Sequence, residues 1–197
     1  QSRGLGDVYK RQIFDRGFLF ADAVYEVTAV IDGKILEWDG HVKRLERSLK
    51  ELDMKFPISE TELLDIHFDL IKKNTLKEGL IYLQVTRGED DRSFDYPDES
   101  VKPTLVLFTQ VKSLAESNIA KTGLKVISVP DMRWGRRDIK TVQLLAPSMC
   151  KMMAKKKNKD DAWMIQDGFI TEGTSNNAYI ITKDNVLITR NLSNDIL

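Results

Sequence analysis

The stretch RWGRRDIKT, at residues 133–141, places one lysine at the end of a run that contains three arginines. A lysine amine becomes a nucleophile at neutral pH when burial or nearby cations disfavour its ammonium form. Arg133, Arg136 and Arg137 would supply that charge to Lys140 if the fold brought them close. The simpler interpretation is a basic surface turn between strands, because runs of charge are usually solvated. Lys140 is therefore a candidate catalytic residue, with a solvated turn as the alternative.

Composition indicates a globular protein and excludes several kinds of partner. The 197 residues are 42% hydrophobic and 30% charged, with 30 basic and 30 acidic side chains. This composition suits one large domain or two small ones. A net charge of zero gives no electrostatic reason to expect nucleic acid or an anionic membrane as partner. The single cysteine, Cys150, allows no internal disulfide and favours a reducing, cytoplasmic location.

Two further classes of protein, membrane proteins and metal-binding proteins, find no support in the sequence. No apolar run approaches the length of a membrane-spanning helix. The two histidines and the cysteine lie far apart, without the spacing of metal ligands. We therefore expect neither a membrane protein nor a metal site.

Both ends of the chain read unlike a complete protein. Residues 1–12, QSRGLGDVYKRQ, resemble a translated sequencing-adapter peptide, so we exclude them from the fold. The last four residues, NDIL at 194–197, stop on an apolar pair without a closing turn or helix. We expect the chain to be a fragment.

Residues 18–38 are predicted to form two strands. The run at 24–30 is rich in strand-forming residues. Asp32-Gly33 is a strong hairpin signal ahead of the short run at 34–36. This hairpin is the first element that we expect.

Two helices are predicted to follow. Asp39 is the expected N-cap of the first, whose apolar face would hold Val42, Leu45, Leu49 and Leu52. Ser59 and Glu62 predict a capping box at the start of the second. His67 is expected on the flank of that helix, in a structural role.

The remaining elements alternate between strands and one helix. Strands are predicted at 80–86, 104–111, 124–129, 162–166, 169–171, 178–182 and 186–189, and a helix at 143–157 with Pro147 in its first turn. We expect an α+β chain with a small domain over residues 13–113, a linker at 114–120 and the first part of a larger domain at 121–197.

A second informative stretch, DGFITEGTSNN at 167–177, has an acid and four small polar side chains just past a predicted hairpin. Such a cluster binds a polar ligand or forms a turn that satisfies its own backbone. Alone it is ambiguous. It becomes informative because it follows the Asp-Ile-Lys of the first stretch by about thirty residues.

Four motifs in this order resemble the class IV (branched-chain and D-amino acid) aminotransferases, which bind pyridoxal phosphate in fold type IV. They are FLFADAVYEV at 18–27, HVKRL at 41–45, RWGRRDIK at 133–140 and EGTS at 172–175. Each motif is weak alone, but together they cover the chain from Ile13 onward with conforming spacing. The resemblance is greatest to the D-amino acid aminotransferases. It implies a two-domain α+β fold whose C-terminal, cofactor-binding domain is incomplete here.

The resemblance also implies how residues of this chain would act on the cofactor. Lys140 would form the internal Schiff base and later move the proton between the substrate and the cofactor. Glu172 would keep the pyridine nitrogen protonated, so that the ring accepts electrons. Arg44 would bind the phosphate through charge-assisted hydrogen bonds. Further cofactor contacts are expected from Thr174, Ser175 and Leu197.

Substrate choice is expected to depend on Tyr25, Arg92 and Phe94. In the D-amino acid enzymes an Arg-x-His pair, after a Val-Thr-Arg-Gly strand, traps the substrate carboxylate. Here VTRG lies at 85–88, Arg92 falls on the arginine, and Phe94 replaces the histidine. A hydrogen bond to a charged group contributes about 1.5–3 kcal/mol. We therefore expect weaker carboxylate binding and a bulkier or more apolar substrate.

The expected activity is transamination of D-amino acids with a 2-oxo acid such as 2-oxoglutarate or pyruvate, in a cytoplasmic homodimer where Arg92 serves the neighbouring subunit. A branched-chain L-amino acid aminotransferase, an (R)-amine transaminase and an aminodeoxychorismate lyase would share Lys140 and Glu172. A non-catalytic α+β binding protein with relic motifs is a further alternative. Because half of the phosphate cradle is expected beyond Leu197, we expect the fragment itself to be inactive.

Overall fold

A computed structural model describes residues 13–197, so the adapter-like segment expected at 1–12 lies outside the described residues. The chain divides into two compact units. The first unit runs to Glu116 and includes Lys140–Val142, and the second unit holds Ser117–Ile139 and Gln143–Leu197. The second unit thus begins within the expected linker, and the domain boundaries given above stay a prediction.

Within the described residues, the first unit has a four-stranded antiparallel sheet and the three helices given below. Its strands lie in the order β2-β1-β3-β4. The second helix packs on β1 and the third on β4. The elements are α1 Arg16–Phe20, β1 Ala23–Ile31, β2 Lys34–Ile35, α2 Trp38–Glu51, α3 Glu60–Lys73, β3 Glu78–Thr86 and β4 Thr104–Val111.

Alternation along β1 decides which side chains enter the core of the first unit. Val24, Glu26, Thr28 and Val30 are buried, whereas Tyr25 on the opposite face is half-buried. Successive side chains of a strand point to opposite faces, so one face of the sheet carries the core. A charged residue, Glu26, is therefore enclosed among apolar ones.

The expected hairpin and capping box are both confirmed. Asp32 and Gly33 have φ angles of 51° and 71°, the left-handed values that a tight hairpin turn requires. The Ser59 side chain accepts from the Glu62 N–H at 3.2 Å, and the Glu62 carboxylate accepts from the Ser59 N–H at 2.9 Å. Local side-chain chemistry alone specified both features.

Three expectations for the first unit were wrong. Residues 18–20 belong to helix α1, because the Asp15 side chain caps it by accepting from the Gly17 N–H at 2.8 Å. Helix α2 has Glu37 as N-cap, and Asp39 lies in its first turn. His67 is buried, with an exposed fraction of 1%, and its Nδ1 bonds to the Leu63 carbonyl at 2.8 Å.

The second unit combines a three-stranded and a two-stranded sheet. Strands β5 and β6 are parallel, β6 and β7 are antiparallel, and β8 pairs antiparallel with β9. The elements are α4 Asn118–Thr122, β5 Val126–Pro130, α5 Leu145–Lys156, β6 Asp161–Gln166, β7 Phe169–Gly173, β8 Tyr179–Ile181 and β9 Leu187–Thr189. A small core joins α5 to the sheet through Val129, Cys150, Ala154, Ala162 and Met164.

Sequence patterns located most elements of the second unit. Asp167 and Gly168 adopt φ angles of 52° and 81°, so the expected hairpin is confirmed. Pro147 lies in the first turn of α5, where a missing N–H is tolerated. The short helix α4 was not expected, because residues 113–118 show only a polar composition.

Within residues 13–197 no helix has the length and apolar character needed to span a membrane. The same part of the chain contains no group of three or more His, Cys, Asp or Glu side chains that could hold a metal ion.

Candidate active site

Lys140 is held against β1 of the first unit. The Tyr25 N–H donates to the Lys140 carbonyl at 2.9 Å, and the Lys140 N–H donates to Ser48 Oγ at 3.3 Å. Thr141 forms an isolated antiparallel bridge with Val24. The lysine Nζ lies 4.3 Å from the centre of the Tyr25 ring, within the range of a cation–π contact. The first unit therefore brings two of the predicted site residues, Lys140 and Tyr25, into contact.

A buried carboxylate, Glu26, organises the charges on the other face of β1. Arg44 donates to both of its oxygens, from Nε at 2.7 Å and from Nη2 at 2.8 Å. His41 Nδ1 lies 2.8 Å from Glu26 Oε2. His41 and Arg44 are three residues apart on α2, so they reach Glu26 from one helix face. Arg44 is thus fixed by a two-point ion pair.

The pKa of Glu26 reflects competition between burial and positive charge. Burial raises this pKa, but hydrogen bonds from Arg44 and His41 and the charges of Arg44 and Lys140 outweigh it. The net result is a pKa below the ordinary value of 4.5. Glu26 is therefore ionised at neutral pH, and Lys140 lies close enough to sense its charge.

Two of the three residues expected to select the substrate, Arg92 and Phe94, lie in the exposed loop between β3 and β4. The Arg92 guanidinium is 5.4 Å from the Phe20 ring centre and 5.9 Å from that of Phe94. Phe94 is 85% exposed, and its ring centre lies 5.8 Å from that of Phe20. The structure thus brings Arg92 and Phe94 together at the surface of the first unit.

Glu172, on β7 of the second unit, is buried and paired with an arginine. Arg133 Nη1 donates to Glu172 Oε1. The Leu197 N–H approaches the two Glu172 oxygens at 3.3 and 3.4 Å. Glu172 and Leu197, both expected to touch the cofactor ring, are thus neighbours within the second unit.

Arg133 also binds a second carboxylate. Its Nε and Nη2 donate to the two oxygens of Asp131 at 3.0 and 2.7 Å, and Thr171 Oγ1 donates to Asp131 at 2.7 Å. Burial raises the pKa of Asp131, but hydrogen bonds from Arg133 and Thr171 lower it by more. The net pKa therefore falls from 3.8 to about 2. Asp131, Arg133 and Glu172 form a continuous row of alternating charge.

The other two arginines of 133–141 also have carboxylate partners. Arg136 pairs with Asp138 at 3.0 Å, and Arg137 donates to Asp195 at 2.8 Å and to Gln166 at 2.7 Å. Arg137 is buried, with an exposed fraction of 7%. A solvated basic turn, the alternative interpretation of this stretch, therefore does not describe Arg133 and Arg137.

Thr174 and Ser175 have different surroundings. The Thr174 hydroxyl donates to the Asp161 carboxylate, which also accepts from Asn176 at 3.1 Å. Lys151, on α5, approaches Asp161 at 3.3 Å. Ser175 is exposed. The Thr174 hydroxyl is therefore engaged within its own unit, while Ser175 faces solvent.

Sequence reasoning left three residues of these clusters without a role. Glu26 and His41 occur inside the quoted motifs, and Asp131 lies two residues before Arg133. Glu26 had one usable signal, since it falls at a core-facing position of an alternating strand. A charge at such a position requires a partner. No comparable local signal marked Asp131.

The sequence matches the amino-transferase class IV family over residues 23–197. The chain belongs to this family. It is 35% identical over 183 residues to a D-alanine aminotransferase of Staphylococcus aureus, which covers 93% of this chain and 64% of that protein. It is 37% identical over 185 residues to a D-alanine aminotransferase of Bacillus licheniformis, with 94% and 64% covered. This member of the family thus spans less than two thirds of the length of these relatives.

Solved structures of the family share the fold. A branched-chain amino acid aminotransferase of Escherichia coli aligns with a TM-score of 0.82 at 18% identity, over 97% of this chain and 66% of that one. A fold IV transaminase of Curtobacterium pusillum aligns with a TM-score of 0.78 at 22% identity, over 94% and 65%. The α+β, fold type IV class expected from the motifs is confirmed.

Proposed function

We propose that the protein is a pyridoxal-phosphate-dependent aminotransferase that moves the amino group of a D-amino acid to a 2-oxo acid such as 2-oxoglutarate or pyruvate. The observation that carries the proposal is the placement of Lys140 beside the Tyr25 ring, on the strand whose other face carries the Glu26–Arg44 ion pair. The D-alanine aminotransferases at 35% and 37% identity support the substrate class.

The chemistry of the residues fits this cofactor. A phosphate requires a fixed cation, and Arg44 is oriented by its two bonds to Glu26. A protonated ring nitrogen requires a carboxylate, and Glu172 is buried and charge-paired. Pyridoxal phosphate, when bound, supplies an electron sink for the charge left on the substrate α-carbon. We keep Thr174, Ser175 and Leu197 as proposed further contacts.

In this proposal Lys140, Arg44 and Glu172 each act on the cofactor or on the substrate. Lys140 would be the point of covalent attachment for the cofactor, and its Nζ, as a free amine, would take the proton from the substrate α-carbon. Arg44 binds the phosphate, and Glu172 accepts a hydrogen bond from the ring N–H. These tasks need an amine, a cation and a carboxylate, which is the set of groups that the motifs contain.

Substrate binding is assigned to the first unit. Arg92 would pair with the substrate carboxylate, and Tyr25 would line the pocket. Phe94, which is apolar, cannot donate the hydrogen bond of a histidine at that position. We therefore expect D-amino acids with apolar side chains to be favoured over small or acidic ones.

We further propose a cytoplasmic homodimer. Cys150 is unpaired and buried, which suits a reducing compartment. The dimer is inferred from the family resemblance, and sedimentation of the purified protein at several concentrations would test it. A mass equal to one chain at all concentrations would reject the dimer.

The decisive test of function is a covalent trap followed by a substrate comparison. The full-length protein is mixed with pyridoxal phosphate, reduced with borohydride and digested. We expect the label on the peptide that contains Lys140, and no label in Lys140→Ala. Absence of label from the wild-type protein would reject a catalytic role and favour a non-catalytic binding protein.

D-Alanine, D-leucine, L-leucine and (R)-1-phenylethylamine are then compared as amino donors to 2-oxoglutarate, and all of them except D-alanine also as donors to pyruvate. Activity with the D-amino acids supports the proposal, with D-leucine expected above D-alanine. Activity with L-leucine or the amine alone would assign the protein to another aminotransferase of the class. Release of pyruvate from aminodeoxychorismate without an added 2-oxo acid would indicate a lyase.

A further inference from the structure

The loop at 88–102, which bears Arg92, begins and ends at a tight neck. Gly88 has a φ angle of 107°, and a Cβ atom there would lie 2.3 Å from the Lys102 carbonyl oxygen. Gly88 also accepts at its carbonyl from the Arg16 N–H at 2.9 Å. Only glycine allows the two ends of the loop to approach this closely. The neck fixes where the loop leaves the sheet, but not where its tip lies.

A buried charged cluster lies under the loop. Asp22 Oδ2 accepts from Arg16 Nε at 2.8 Å and from Arg87 Nε at 2.7 Å. Both arginine side chains are less than 10% exposed. Two guanidinium groups therefore share one carboxylate oxygen in a nearly dry environment. We refer to Arg16, Asp22 and Arg87 as the Asp22 cluster.

The Asp22 cluster has two positive groups and one negative group, and the loop supplies hydrogen-bond acceptors for part of the excess positive charge. Arg16 Nη1 donates to the carbonyls of Ser93 at 2.8 Å and of Asp95 at 3.2 Å. These two residues flank Phe94 and lie just after Arg92. A buried charge with too few counter-charges must find other acceptors. Carbonyl groups of the loop tip are those acceptors for Arg16.

An aromatic contact holds the loop to the second arginine. The Tyr96 ring centre lies 3.7 Å from the Arg87 guanidinium carbon, a close stacking distance. Arg87 is itself fixed by the carbonyls of Leu52 and Asp53, at 2.7 and 3.2 Å. The loop thus rests on Arg16 through its backbone and on Arg87 through a side chain.

We propose that the Asp22 cluster is a positioning device that sets the loop so that Arg92 meets the substrate carboxylate. The inference rests on the proposed function, because it uses the proposed role of Arg92. It adds that substrate affinity depends on buried residues that touch neither substrate nor cofactor. Arg16 is the member of the cluster most directly linked to the loop, because it donates to the loop backbone on both sides of Phe94.

Arg16→Lys is the discriminating variant. Lysine keeps the positive charge for Asp22, but one ammonium cannot reproduce the planar fork that reaches Asp22 and the loop carbonyls together. We expect KM for the amino acid to rise about tenfold, as for the loss of one hydrogen bond to a charged group, with kcat unchanged.

A second readout does not depend on activity or cofactor. Trypsin cleaves after Arg92 only when the loop opens locally, so the cleavage rate reports how often it detaches. We expect about tenfold faster cleavage after Arg92 in Arg16→Lys. Tyr96→Ala removes the close contact with Arg87 and the longer one of 5.9 Å with Arg16 but keeps the three charged side chains of the Asp22 cluster, and we expect a smaller increase, about threefold. This variant keeps the test valid if Arg16→Lys fails to fold.

Glu99→Gln is the matched control. Glu99 makes an ion pair of 3.0 Å with Lys55 at the edge of the same loop, but both side chains are strongly exposed. Exposed pairs contribute little. We therefore expect no change in KM or in cleavage rate for this variant. An equal effect of Glu99→Gln would show that any loop change matters, and would overturn the role of the Asp22 cluster.

Arg92→Ala separates failure of the inference from failure of the proposed function. If Arg92→Ala raises KM while Arg16→Lys and Tyr96→Ala leave KM unchanged, the inference is wrong and the role of Arg92 stands. If Arg92→Ala leaves KM unchanged, the proposed role of Arg92 is wrong and the inference falls with it.

Discussion

The two units build charged clusters of opposite arrangement. In the first unit a carboxylate, Glu26, lies at the centre and accepts from Arg44 and His41. In the second unit a guanidinium, Arg133, lies at the centre and donates to Asp131 and Glu172. A central anion leaves cations as the outer members, which suits a phosphate. A central cation has carboxylates as its outer members, and a carboxylate suits a protonated ring nitrogen.

The difference in exposure supports this contrast. The Glu26 side chain is 3% exposed while that of Arg44 is 34% exposed, so the cation is the accessible member of the first cluster. In the second cluster the Asp131 side chain is fully buried and those of Arg133 and Glu172 are nearly so. The comparison shows that both clusters bury a carboxylate most deeply, and that they differ in their cation, which is accessible in the first cluster and nearly buried in the second.

The largest expected effect comes from removing the most buried carboxylate of each cluster. Glu26→Gln removes the carboxylate charge that Arg44 and His41 share, and Asp131→Asn removes the carboxylate charge that Arg133 holds through two nitrogens. Breaking a buried ion pair by removing one partner costs about 3–5 kcal/mol. We expect losses of that size in the free energy of unfolding of both variants, measured by urea denaturation. Asp69→Asn, at an exposed pair with Lys73, is the control and should show no measurable loss.

Hydrogen exchange would show whether each loss of stability is confined to the elements around its own cluster. Glu26→Gln should speed exchange in β1 and α2, and Asp131→Asn in β5, β6 and β7. A loss below about 1 kcal/mol in either variant would contradict the view that the central pair holds the cluster together.

A smaller effect on the free energy of activation is expected from Glu172→Gln. The amide keeps the size of the side chain but loses the charge that the ring nitrogen requires. Removing one electrostatic partner of the reacting group typically lowers kcat by about 10²–10³. We expect such a fall in steady-state kcat with little change in the melting temperature, because Arg133 retains Asp131. An unchanged kcat would separate Glu172 from the chemistry.

The smallest expected effect is the acid dependence of stability in the second cluster. The folded-state pKa of Asp131, about 2, lies below its ordinary value of 3.8. A lowered folded-state pKa stabilises the protein above the unfolded-state pKa, and this contribution is lost as the pH falls toward the folded-state value. Asp131 should therefore contribute about 2 kcal/mol at neutral pH, lost between about pH 4 and pH 2.

The measurement is the difference in free energy of unfolding between the wild-type protein and Asp131→Asn across that range. We expect the difference to shrink by about 2 kcal/mol as the pH falls. A constant difference would show that Asp131 does not change its protonation between the folded and unfolded states at these pH values.

Local sequence signals predicted most elements of both units. Asp32-Gly33, Asp167-Gly168 and the Ser59/Glu62 capping box each involve residues within three positions of one another. Their conformations follow from short-range hydrogen bonds and allowed backbone angles. The same locality explains the errors at α1 and at the start of α2. At these two places the helix begins at a different N-cap, Asp15 for α1 and Glu37 for α2. These caps are equally local, but the sequence pattern that marks them is weaker.

The candidate residues were predictable only as a set of chemical groups. An amine at Lys140, a carboxylate at Glu172 and a cation at Arg44 follow from motifs that this family shares. Their partners did not follow. Arg133, Arg136 and Arg137, which the sequence suggested as a source of charge near Lys140, each pair with carboxylates, and Arg133 and Arg137 both approach Asp131.

What the sequence by itself determined is most of the strands and helices, the two Asp-Gly hairpin turns and membership of the class IV aminotransferase family. What only the tertiary structure decided is the partner of each charge. Glu26 and Arg44 lie 18 residues apart, Arg133 and Glu172 39, and Arg16 and the Ser93 carbonyl 77. The physical reason is that a buried charge takes the counter-charge that the folded chain brings near, and no local pattern encodes that approach.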